Sequence, residues 1–139
     1  MNKTLITAIG SGAYFPIQLT QVDGKTTWQP LKGDTRLINQ NLLALLSTQI
    51  GERFRSEYFG TRVLECLEEP NTQALQFLVV RFIKESISTW EPRIEFLEAK
   101  VNRDKATLKI QIRYKVIMDQ NVTELNFSIN PQTNKLDIL

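Results

Sequence analysis

From Ala106 to Met118 every second residue is apolar: Ala106, Leu108, Ile110, Ile112, Tyr114, Val116 and Met118. Only an extended chain puts alternate residues on one face, so this stretch is a strand with one buried side. At ~3.3 Å per residue it would span ~43 Å, far beyond a usual strand, so it is expected to bend or to run past the body of the domain. A half-buried strand needs neighbours. Asp119-Gln120-Asn121 is a turn, and Leu125, Phe127 and Ile129 line a returning strand that Asn130-Pro131 stops. Upstream, Ile94 and Phe96 share one parity while Leu97, Ala99 and Val101 share the other. That switch predicts a bulge near Phe96–Leu97, with Asn102-Arg103-Asp104 as the next turn. Residues 94–129 thus read as a three-stranded antiparallel meander. Its second face carries Lys109, Gln111, Arg113 and Lys115, either a solvated face or a positive ribbon for an acidic protein partner. No aromatic side chains interleave with these bases, so nucleic-acid stacking is unsupported.

The buried face needs a cover. Ile38, Leu42, Leu45 and Leu46 recur at helical spacing behind Asp34, a capping residue, and Gly51 reads as the helix stop. A second helix runs from Asn71, read as its cap, through Leu75, Leu78, Val79, Phe82 and Ile83 to Trp90, where Pro92 ends it. Val63–Leu67 suits a short helical turn. Near the N-terminus Phe15–Val22 and Lys25–Leu31 flank Asp23-Gly24, a hairpin signal. The fold class is therefore α+β: an N-terminal β-hairpin and two main helices packed on a C-terminal three-stranded antiparallel meander. Residues 1–12 read as a flexible arm, 13–131 as one domain and 132–139 as a tail.

Composition narrows the function. The chain has no histidine and one cysteine, Cys66, between Glu65 and Leu67, which reads as a packing residue. A thiol nucleophile, a serine triad or a catalytic zinc would ordinarily draw on histidine. No phosphate-binding glycine loop or metal-ligand spacing occurs, so no catalytic residue, cofactor or metal site is expected. A net charge of +2 is too weak to argue for nucleic acid. The N-terminal apolar patch is too short for a secretory segment, and no run is long enough to span a membrane. Synthesis in the cytoplasm is the expectation.

Two stretches remain. Gly51-Glu52-Arg53-Phe54-Arg55-Ser56-Glu57-Tyr58-Phe59-Gly60 is a charged loop whose three aromatics imply that it packs down on something. Trp90-Glu91-Pro92-Arg93-Ile94 is the hinge between helix and sheet. Pro92 fixes the chain direction there, and Glu91 and Arg93 could pair with each other or bond nearby backbone.

In order along the chain stand Phe15-Pro16-Ile17, Leu46-Ser47-Thr48-Gln49-Ile50-Gly51-Glu52-Arg53, Phe59-Gly60-Thr61, Trp90-Glu91-Pro92-Arg93-Ile94 and the meander. Together these blocks resemble the baseplate wedge family of contractile tails, found in contractile phages, type VI secretion baseplates and extracellular contractile injection particles. The resemblance covers about Gly12 to Ile129. It implies a structural baseplate subunit, not an enzyme, present in several copies in a ring-like assembly. It implies that Glu91, Pro92 and Arg93 dock on a helical core bundle of the larger wedge subunits, with Gly51, Glu52, Arg53, Phe59 and Gly60 as the supporting loop. It further implies that the meander, with Leu108, Ile110, Ile112, Tyr114, Val116, Leu125, Phe127 and Ile129, offers a sheet edge to the sheath subunit and so starts sheath assembly. Spike or hub proteins are further partners by the same resemblance; nucleic acid and membrane are not. Phe54-Arg55-Ser56-Glu57-Tyr58 departs from the usual proline- and aspartate-containing version of the loop. Some family members carry a lysozyme label, but no acid pair supports that activity here. The other readings are a stand-alone regulatory binding module, like a stress anti-adaptor of this fold, and a small muralytic enzyme.

Overall fold

A computed structural model of the chain describes residues 9–133 and 135–139. Its core is a four-stranded antiparallel sheet in the order β5-β6-β7-β8: β5 (Ile94–Asp104), β6 (Thr107–Val116), β7 (Val122–Asn130) and β8 (Lys135–Ile138). The alternating stretch is β6. It lies between β5 and β7, with Ile110 opposite Val101 on one side and Phe127 on the other. Leu108, Ile110, Ile112, Tyr114 and Val116 are all buried. The strand is shorter than its alternation: it ends at Val116, and Ile117 and Met118 are exposed in the turn. The predicted bulge is present. The register slips between Phe96 and Glu98, leaving Leu97 as the extra residue on the exposed side.

The sequence reading gave the sheet three strands and a tail. The fourth strand comes from within that tail, where Lys135–Ile138 pairs with Phe127–Asn130. Four residues with two apolar side chains, Leu136 half-buried and Ile138 exposed, carry too little periodicity to be recognised as a strand; the neighbouring β7 edge makes them one. The turn after β5 is also later than expected. Pairing continues to Asp104, and Lys105, at φ 55°, makes the reversal.

Two helices cover the buried face. α1 (Thr35–Ser47) contributes Leu37, Ile38, Leu42, Leu45 and Leu46. α2 (Gln73–Trp90) contributes Leu75, Val79, Ile83 and Ile87. Asp34 caps α1, accepting from the Arg36 amide at 2.8 Å, and the Arg36 hydrogen bond holds its carboxyl below the usual range. The α2 cap is Thr72, not Asn71; its hydroxyl accepts from the Leu75 amide at 3.2 Å. Similarly, α1 stops at Ser47 rather than at Gly51. Gln49 leaves the helix to form a parallel bridge with Thr61, and the Thr61 amide donates to the Thr48 carbonyl at 2.9 Å. Gly60 makes that approach possible, since a Cβ there would collide with the Thr48 carbonyl. A 3₁₀ turn, Val63–Glu68, then leads toward α2.

At the N-terminal end, β1 (Ser11–Ala13) pairs with β4 (Pro30–Lys32), and β2 (Leu19–Val22) pairs with β3 (Lys25–Trp28). Asp23 and Gly24 both have positive φ, as a tight hairpin turn requires. The hairpin begins later than its alternation suggests. Phe15 and Ile17 precede it, and with Leu19, Val22 and Trp28 they are exposed. Most of the proposed arm lies outside the described residues. Within them, Ile9 is buried and the Gly33 amide bonds the Gly10 carbonyl at 3.0 Å.

A candidate docking cleft at the joint of helix and sheet

Trp90 is the last residue of α2, and the Glu91 amide still bonds the Ile87 carbonyl at 2.9 Å. Pro92 has no N–H to continue the ladder, and Ile94 opens β5. This short reversal leaves Pro92 exposed and turns Glu91 inward, to 5% exposure. The two charges meet as a fork. Arg93 Nε lies 2.6 Å from Glu91 Oε1, and Nη2 lies 2.6 Å from Oε2. Arg93 Nη1 donates to the Ile9 carbonyl, also at 2.6 Å. A bidentate, charge-assisted pair of this kind is far better placed than a surface ion pair. The Glu91 hydrogen bonds raise the Arg93 pKa. The sequence left two uses open for these charges; the structure makes both, a pair between them and a bond to backbone.

The supporting loop approaches from the other side. The Gly51 amide closes it on the Glu57 carbonyl at 2.7 Å, and Glu52 Oε2 accepts from the Gln49 amide at 2.9 Å. The Arg53 guanidinium lies 3.8 Å from the Phe59 ring centroid, and Phe59 meets Trp90 edge-on at 5.2 Å. A cleft of about 410 Å³ results, lined by Arg53, Phe59, Trp90, Glu91, Pro92 and Arg93, with Asn41, Ala44 and Leu45 from α1. The Gly-Glu-Arg block and the Glu-Pro-Arg block, far apart in sequence, thus share one site. The three loop aromatics do not all pack onto the domain. Phe59 does, but Phe54 is 97% and Tyr58 81% exposed, because the loop closes through its own backbone and turns those rings outward.

The ribbon residues lie elsewhere. Leu108, Ile110, Ile112, Tyr114, Val116, Leu125, Phe127 and Ile129 are all core, facing the helices. Strand β6 is paired on both sides, so it is not an available edge. The edges are β5, β8 and the first half of β7, which β8 does not reach. The basic face of β6 is largely neutralised within the sheet: Lys109 pairs with Asp104 at 3.2 Å, Arg113 with Glu98 at 3.2 Å and Lys115 with Glu95 at 3.0 Å. Tyr114 donates to Asn39 Oδ1 at 2.6 Å, tying sheet to α1. Burial pushes its pKa up to about 12. Neither the Tyr114–Asn39 bond nor the hold of Arg93 on Ile9 leaves a local trace in sequence.

Among the described residues no helix is long and apolar enough to cross a membrane, and no group of acidic, cysteine or histidine side chains is placed to hold a metal. Cys66 is buried, which raises its thiol pKa.

Residues 33–121 match the family model of the baseplate wedge protein gp25. The chain belongs to that family. Two solved structures are similar to this baseplate subunit. A chain of the anti-feeding prophage baseplate, six-fold symmetrised, is 25% identical, with a TM-score of 0.69 over 81% of this chain and 89% of that one. A candidate tail lysozyme from Geobacter sulfurreducens is 26% identical, with a TM-score of 0.62 over 67% of this chain and 86% of the other. No curated protein sequence matches the chain. The protein is thus a structural baseplate subunit of the contractile tail and injection-system kind, a component of a multi-subunit tail particle.

Proposed function

We propose that this baseplate subunit docks through Glu91-Pro92-Arg93 on the helical core bundle of larger wedge subunits, and offers an open edge of its sheet to the sheath subunit. The observation that carries the docking half is the cleft itself. It gathers the motif, the Arg53–Phe59–Trp90 stack and an exposed Pro92 at the joint between α2 and β5. For the sheath half, strand addition needs unpaired backbone at an edge. The first half of β7, Val122–Leu125, lies within the meander and is paired only to β6.

The docking test must respect the Glu91–Arg93 fork. Arg93→Ala alone leaves a buried carboxylate without its cation, a loss on the order of 3–5 kcal/mol, so failed assembly in that variant would be ambiguous. The double variant Glu91→Ala, Arg93→Ala removes both charges and is expected to fold more stably than the single one. It is also expected not to co-purify with the wedge subunits co-expressed from the same gene cluster. A folded double variant that enters the wedge normally would sink the docking role.

A further inference from the structure

We infer that the cleft has a second charged reader besides the Glu-Pro-Arg motif: Arg53, which receives a carboxylate from the partner that covers Trp90 and Pro92. This rests on the docking reading and adds the partner's chemistry to it.

The charges around the cleft are not equivalent. Arg93 and Glu91 satisfy each other, and the third Arg93 bond goes to Ile9. The fork therefore brings little net charge to a partner. Glu52 is turned to the Gln49 amide. Arg53 is different: none of the ion pairs among the described residues includes it. Its guanidinium is instead held against the Phe59 ring, which is braced edge-on by Trp90. Stacking of this kind orients the planar fork while leaving its in-plane N–H groups free for a carboxylate. Beside it, Phe59, Trp90, Pro92 and Ala44 form the apolar part of the cleft wall. Once a partner covers it, water leaves and an ion pair there strengthens. The matching surface is an aspartate or glutamate set among apolar side chains on the wedge partner. An acid alone would miss the rings, and an apolar surface alone would strand the cation.

The test uses the full chain and the larger wedge subunits co-expressed from its own gene cluster, with affinity measured on purified proteins over a salt series. Arg53 is exposed, so Arg53→Gln is expected to melt like the wild type. Its affinity is expected to fall on the order of thirtyfold, and the salt dependence to flatten. An acid-to-arginine change on the partner is expected to restore binding to Arg53→Glu. Unchanged affinity for Arg53→Gln overturns the inference; the docking reading survives if Glu91→Ala, Arg93→Ala still abolishes assembly and falls if that variant also assembles. A loss for Arg53→Gln with the salt dependence intact also overturns the inference, because it assigns Arg53 to ring stacking alone.

Discussion

At the scale of single residues, the polar groups that matter are those buried with a partner distant in sequence. Tyr114 was legible in the sequence as a core position of a strand. Its hydroxyl was not, because Asn39 lies 75 residues away and nothing local couples the two. Its burial has a measurable consequence. An ordinary tyrosine ionises near 10.0, and burial holds folded Tyr114 to about 12. Between those values the unfolded chain releases a proton that the folded chain retains. The contribution is therefore complete below pH 10.0 and is lost as the pH rises toward 12. Denaturant titrations at alkaline pH are expected to show stability falling across this window, with a shallower fall in Tyr114→Phe. A fall of equal slope in both proteins would refute the assignment. At neutral pH the same variant is expected to lose about 1 kcal/mol with the Asn39 bond.

At the scale of elements, alternation set β6 and the parity switch set the bulge, since both follow from which side of the pleat a residue faces. Helix ends fared less well. Thr72 displaced Asn71 as a cap, and the Gln49–Thr61 bridge ended α1 before its glycine. The edge of β7 is an element-scale question too. The Val116 amide bonds the Asn121 carbonyl, so by antiparallel alternation Val122, Glu124 and Asn126 aim their backbone away from β6. The Asn126 carbonyl indeed accepts from the Leu139 amide on that side. Glu124→Pro therefore removes an outward N–H and leaves the ladder to β6 in place. This variant is expected to keep its circular dichroism spectrum and to join baseplates that fail to start a sheath by electron microscopy. Normal sheaths growing from such baseplates would count against pairing at this edge.

At the scale of the molecule, stability resides in the two helices and the four-stranded sheet, while the β2–β3 hairpin stands apart. Its residues are mostly exposed, and none belongs to the core. The Gln29 amide bonds the Gln18 carbonyl at 2.9 Å, so the ends of the hairpin are adjacent. Replacing Leu19–Trp28 by a two-glycine turn is expected to shift Tm by less than ~4 °C. A much larger drop would mean that the hairpin is integral to the fold. An isolated two-stranded hairpin is marginal in water by itself. Leu19, Val22 and Trp28 are exposed, and the sequence pattern leaves that open, because alternation reports a face and not whether anything covers it.

The sequence by itself determined the α+β class, the helix faces, the central strand, the bulge and the motif blocks that mark the family. All of these depend on spacing along the chain, where local geometry alone decides which side chains share a face. Only the tertiary structure decided that the C-terminal stretch adds a fourth strand and that Glu91 turns inward to Arg93. It alone brought Arg53, Phe59 and Trp90 into one cleft with the motif. Those outcomes depend on contacts between residues distant in sequence, whose energies arise only when the chain closes on itself.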